Sequence, residues 1–78
     1  MQNPRILRLS SLSDDYSDSE YNVSDIGYYY IIPALKLAEQ KVKFKADVED
    51  DEMILVIIFK DGSNKCFSLA RHSMSFLY

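Results

Sequence analysis

The sequence predicts an α+β domain: one α-helix packed on a three- to four-stranded antiparallel meander, with a mobile acidic arm near the N-terminus. Three observations predict it. Residues 41–48, Lys-Val-Lys-Phe-Lys-Ala-Asp-Val, alternate polar and apolar without a break, which is the period of a half-buried strand. Met53 to Phe59 is apolar on both faces and rich in β-branched residues, as a central strand is. Ile31, Ala34, Leu35, Ala38 and Val42 recur at helical spacing, marking one face of a helix within residues 24–41.

In chain order, Arg5 to Leu9 is apolar enough for a short edge strand. Residues 10–22 follow as a flexible, acidic, Ser-rich segment with almost nothing to bury. Ser24 and Asp25 suit a helix N-cap. Pro33 fits a helix only in its first turn or at a kink, so the helix is predicted either from Ile31, with Gly27 to Tyr30 extended, or from Ser24 with a bend. Strand 42–48 comes next, then Glu49 to Glu52 as a turn and 53–59 as the central strand. Asp61-Gly62-Ser63-Asn64 is a second turn, because Gly62 supplies the positive φ that a tight hairpin needs. A third strand is predicted at 65–70. Met74, Phe76 and Tyr78 at period two suggest a fourth at 74–78. The expected core joins Ile31, Leu35 and Ala38 to Val42, Phe44, Val48, residues of the 53–59 strand, Phe67 and Leu69.

The chain has 78 residues and a net charge of −3, so residues 1–78 are read as one small domain. One cysteine forms no internal disulfide, and one cysteine with one histidine closes no zinc site. No run of eighteen apolar residues suggests a membrane span, and Met1 to Leu12 does not read as a signal peptide. The expected compartment is cytoplasmic, with Cys66 reduced, and no cofactor or metal is expected. Cys66 and His72 have no third residue to complete a nucleophile–base pair, and the two glycines lie too far apart for a phosphate loop. The chain is therefore read as a non-enzyme.

Charge is the more informative feature. Asp14, Asp15, Asp18, Glu20 and Asp25 carry −5 with no basic residue between positions 10 and 35. Glu49-Asp50-Asp51-Glu52 is a second acidic block, in a turn where Asn or Gly would be the local preference. Tyr16, Tyr21, Tyr28, Tyr29 and Tyr30 are interleaved with the first block, and exposed tyrosines are frequent contact anchors. Lys41, Lys43 and Lys45 read as a solvated strand face, since acidic neighbours repel nucleic acid. The expected partner is a protein with a basic surface, of the nucleic-acid-binding kind. Its contacts are expected at Asp14, Asp15, Tyr16, Asp18, Glu20, Tyr21, Glu49, Asp50, Asp51 and Glu52. On this reading the chain inhibits or modulates that partner by masking it. In size and charge it is of the type of small inhibitors carried by phages and mobile elements. The rival reading is a self-associating structural subunit. A strand apolar on both faces needs cover twice and one helix covers it once, so a homodimer about Met53, Leu55 and Ile57 is expected unless the N-terminal segment and tail supply the second cover.

Overall fold

Strand-forming sequence, not helical periodicity, sets the conformation of this chain. The computed structural model describes residues 3–13, 17–39 and 48–78. Six strands run through them: β1 (Ile6–Ser11), β2 (Ser19–Asn22), β3 (Ile26–Pro33), β4 (Met53–Phe59), β5 (Asn64–Ser68) and β6 (His72–Leu77). They form two antiparallel sheets, in the orders β2-β1-β6 and β3-β4-β5. The chain makes a hairpin in the first sheet, crosses over for a meander in the second, and returns so that β6 lies beside β1. Ile6 then faces Leu77, and Ser11 faces His72.

The predicted α+β architecture is therefore replaced by two packed sheets. Residues 26–33, Ile-Gly-Tyr-Tyr-Tyr-Ile-Ile-Pro, pair with β4 from Ile26↔Phe59 to Pro33↔Met53. Aromatic and β-branched side chains suit this pleated surface, and Gly27 and Pro33 both weaken a helix interior. Pro33 closes an edge strand, where a missing N–H is tolerated. Gly27 sits at the register irregularity between Ile26 and Tyr28, where a Cβ would come within 3.3 Å of the Ile58 carbonyl oxygen. Among the described residues, the helical turn after β3 is the 3-10 segment Ala34–Glu39. Its buried residue is Leu37, whereas the predicted helix-face residues Ile31 and Leu35 are 41% and 64% exposed.

Other boundaries change too. The segment expected to be mobile contributes β2, with Tyr21 opposite Leu7. The strand expected at the edge, β1, is the middle of its sheet. The third strand ends at Ser68, not at residue 70, and the last runs His72–Leu77 and joins β1 rather than extending the meander. The predicted strand 42–48 lies outside the described residues, apart from Val48.

β4 explains the two-layer packing. Alternate residues on a strand face opposite ways. Leu55 and Ile57 meet Leu7 and Leu9 of β1, all fully buried, with Tyr21, Phe59, Phe67, Met74 and Phe76 around them. Ile54 and Val56 face outward from the sandwich and are covered by Leu37, Tyr30, Ile32 and Val48. Burying each such aliphatic side chain contributes about 1.5–3 kcal/mol. Of the residues that motivated a homodimer, Leu55 and Ile57 are thus covered within one chain by β1 and β6, whereas Met53 is 41% exposed. At the β4–β5 hairpin, Gly62 adopts φ 92° with open space around it. Its N–H donates to the Phe59 carbonyl at 3.0 Å.

Candidate partner-binding surface

The acidic residues singled out by the sequence have three different fates. Asp14, Asp15 and Tyr16 lie outside the described residues. Asp18 and Glu20 flank Arg8, whose Nη2 and Nη1 lie 3.3 and 3.6 Å from their carboxylates. Asp18 Oδ1 also accepts the Ser11 N–H at 2.7 Å. That backbone hydrogen bond, with Arg8 behind it, holds the Asp18 carboxyl below the usual carboxylate range. These two acids are thus half-exposed rather than bare charges. Tyr21 is not a surface tyrosine: its ring sits 5.3 Å from Phe59 and 6.0 Å from Phe67.

Glu52 turns inward, with its side chain only 9% exposed. Ser68 Oγ donates to its Oε1 at 2.5 Å, and Arg71 Nε donates to the same oxygen at 3.2 Å. Arg71 Nη2 donates to Oε2 at 3.3 Å, and the Glu49 N–H donates to Oε2 at 2.6 Å. Led by the Ser68 hydroxyl, these donors hold the Glu52 carboxyl below its ordinary range. Glu52 therefore ties the start of β4 to the β5–β6 turn, a structural role the sequence reading missed. Its signal was the lone Arg71 and Ser68 in an otherwise apolar stretch, whose proximity only the sheet register creates.

The Ser68, His72 and Glu52 set has the residue types of a hydrolytic triad but not the wiring. His72 Nδ1 lies 3.1 Å from the Ser68 carbonyl, and a carbonyl only accepts, so Nδ1 carries the proton there. Ser68 Oγ points at Glu52 instead and is 2% exposed with its residue. Cys66 and Phe67 point to opposite faces of β5. Cys66 packs with Ile54 and Val56, while His72 lies edge-on to Phe67 at 5.4 Å. Burial pushes the Cys66 thiol up, which disfavours the nucleophilic thiolate. Among the described residues no group of three or more His, Cys, Asp or Glu converges to hold a metal. None of their helices is long and apolar enough to cross a membrane.

Glu49, Asp50 and Asp51 remain exposed. Beside them is a hollow of about 500 Å3 lined by Ile31, Asp51, Glu52, Met53, Leu69 and Ala70. Ile31 and Met53 are each 41% exposed there. A chain of contacts brings Asp18 of the first acidic stretch to this same end as residues 49–52. Asp18 receives the Ser11 N–H, the Leu12 N–H donates to the Arg71 carbonyl, and the Arg71 side chain closes on Glu52. Leu12, 62% exposed, adds apolar surface nearby. Along β3 the uncharged edge continues through Tyr29, 45% exposed and 6.2 Å from Phe76, and Tyr28, 60% exposed and stacked on Tyr30.

No protein-family model, curated protein or solved structure matches the chain. The geometry of this end is what a functional reading rests on.

Proposed function

We propose that this chain is a non-enzymatic binding protein that docks on a basic protein surface and masks it, a nucleic-acid-binding surface being the kind its charge suits. The supporting observation is the hollow of Ile31, Met53, Leu69 and Ala70 with Asp51 on its rim. An apolar depression with an exposed acid on its rim and others in the adjoining turn accepts a protruding apolar side chain while these acids meet surrounding Lys or Arg. Carboxylates raise the encounter rate, and apolar contact supplies affinity that salt does not screen. Of the contact residues expected from sequence, Asp18, Glu20, Glu49, Asp50 and Asp51 suit this role. Glu52 serves the fold instead, and Tyr21, half-buried, lies at the far end of β4, away from this surface.

The test is capture from the native host by the wild-type chain and by two variants, Asp50→Lys/Asp51→Lys and Met53→Asp, read by quantitative mass spectrometry. A protein held by the wild type should be lost with both. Its affinity, remeasured with purified components, should fall with Asp50→Lys/Asp51→Lys mainly through the on-rate and more at low salt. A partner bound equally by all three chains would reject the proposal.

One observation favours a second reading, self-association. Among the described residues β3 is an eight-residue edge strand with no charged side chain, and an uncharged apolar edge invites another strand. Light scattering across a wide concentration range separates the two: a concentration-dependent dimer abolished by Tyr29→Lys would favour the self-associating subunit.

A further inference from the structure

At the opposite end of β4 lies a second hollow, of about 360 Å3, lined by Tyr21, Asn22, Asp25, Phe59, Lys60, Asp61 and Ser63. From Met53 to Phe59 the strand rises about 3.3 Å per residue, so the two hollows are about 20 Å apart along it. We propose that this hollow binds the guanidinium of an arginine side chain presented by a protein partner.

Three features support that chemistry. The lining includes two half-buried aromatic residues, Tyr21 and Phe59, with rings 5.3 Å apart and tilted by 55°. Aromatic faces attract planar cations, arginine above all. The walls carry carboxylates from two separate elements: Asp25 ends the 3-10 turn Val23–Asp25, and Asp61 belongs to the β4–β5 hairpin. Among the described residues neither is within ion-pair distance of a basic side chain. Asp61 Oδ1 accepts the Ser63 N–H at 2.8 Å and the Ser63 hydroxyl at 2.6 Å. That fixes the carboxylate and leaves Oδ2 as an acceptor. Finally, the two elements are locked together, because the Lys60 N–H donates to the Asp25 carbonyl at 2.9 Å. The hollow is therefore set by backbone geometry rather than by mobile side chains.

Lys60 stands in the same wall and gives the proposal its sharpest test. With two carboxylates against one ammonium the site is net negative, so Lys60 opposes a cation and would assist an anion. The probe is N-acetyl-arginine amide, titrated into isotope-labelled protein at low salt and followed by amide chemical shifts. Shifts should cluster at Asn22, Asp25, Lys60, Asp61 and Ser63. Asp25→Asn and Asp61→Asn should each weaken binding about twofold to fivefold, and Lys60→Gln should strengthen it by a similar factor. Asn at position 61 retains an oxygen for the Ser63 donors, and Asp25 contributes only its carbonyl to the fold here. Both variants should therefore keep the wild-type spectrum elsewhere.

The isosteric but uncharged N-acetyl-citrulline amide should bind far more weakly. Equal binding of the citrulline probe, shifts scattered over the surface, or weakening by Lys60→Gln would each overturn the proposal. Free arginine binding more tightly than the amide would overturn the assignment to a partner side chain. The proposal does not depend on the hollow at Ile31 and Met53. Asp25→Asn leaves that end untouched and Met53→Asp leaves this one untouched, so failure of either reading is seen separately.

Discussion

Glu52 shows how one residue acquires a role from its neighbours. In the sequence it is the last of four acids. In the fold it accepts from Ser68, Arg71 and the Glu49 N–H. Its folded carboxyl titrates below its unfolded value, so the unfolded state binds more protons on acidification. The stabilisation is complete above the unfolded value and is lost as pH falls through the folded one. Asp18 and Asp61 are depressed in the same direction, by the Ser11 N–H and by the Ser63 hydroxyl respectively. Thermal melts from pH 7 downward should show a falling Tm below about pH 5. Glu52→Gln should melt lower than wild type at pH 7 and show a shallower decline with acid. Parallel curves would remove Glu52 from the acid response. A second residue-scale prediction concerns Gly62. At φ 92° with nothing within 4 Å of a built Cβ, Gly62→Ala should destabilise through backbone strain alone, by about 1 kcal/mol. Urea unfolding with an unchanged m-value would measure it.

Among the elements, β3 and the 3-10 turn after it decide between the predicted helix and the observed sheet. A helix over residues 24–41 would bury Leu35. The observed segment leaves Leu35 64% exposed and buries Leu37. Leu35→Ala should therefore change stability by less than about 0.5 kcal/mol. Leu55→Ala, in the centre of β4 and against β1, should lose about 2–5 kcal/mol. A Leu35→Ala loss as large as that of Leu55→Ala, in chemical denaturation, would restore the helix. The misreading has a physical origin. Apolar residues at positions 31, 34, 35 and 38 satisfy helical spacing, but three consecutive tyrosines and two isoleucines prefer the pleat. β4 then offers them a ladder along the full length of the strand. Local spacing was outweighed by a non-local partner.

For the whole molecule, the first and last strands are neighbours, since β6 pairs with β1 along its entire length. Among the described residues, the two sheets meet through the layer built on Leu7, Leu9, Leu55 and Ile57. Deleting residues 72–78 would remove Met74 and Phe76 from that layer and bare one edge of β1. The shortened chain should lose its cooperative thermal transition and its dispersed amide spectrum. A truncated protein that still melts cooperatively would show that the meander β3-β4-β5 folds without the first sheet.

What the sequence determined by itself was local. The all-apolar, β-branched run of residues 53–59 made β4 the middle strand with two apolar faces, and Gly62 placed a tight hairpin. The acidic turn before β4 was also legible there. Tertiary structure decided the rest. It showed that β1 and β6 cover Leu55 and Ile57 within one chain. It placed Glu52 inward against Ser68 and Arg71 and brought Asp18 and Asp51 to one end of the sandwich. Strand pairing joins residues far apart in the chain, and its register assigns each side chain to a face. Neither partner nor register is written in the spacing of any one segment.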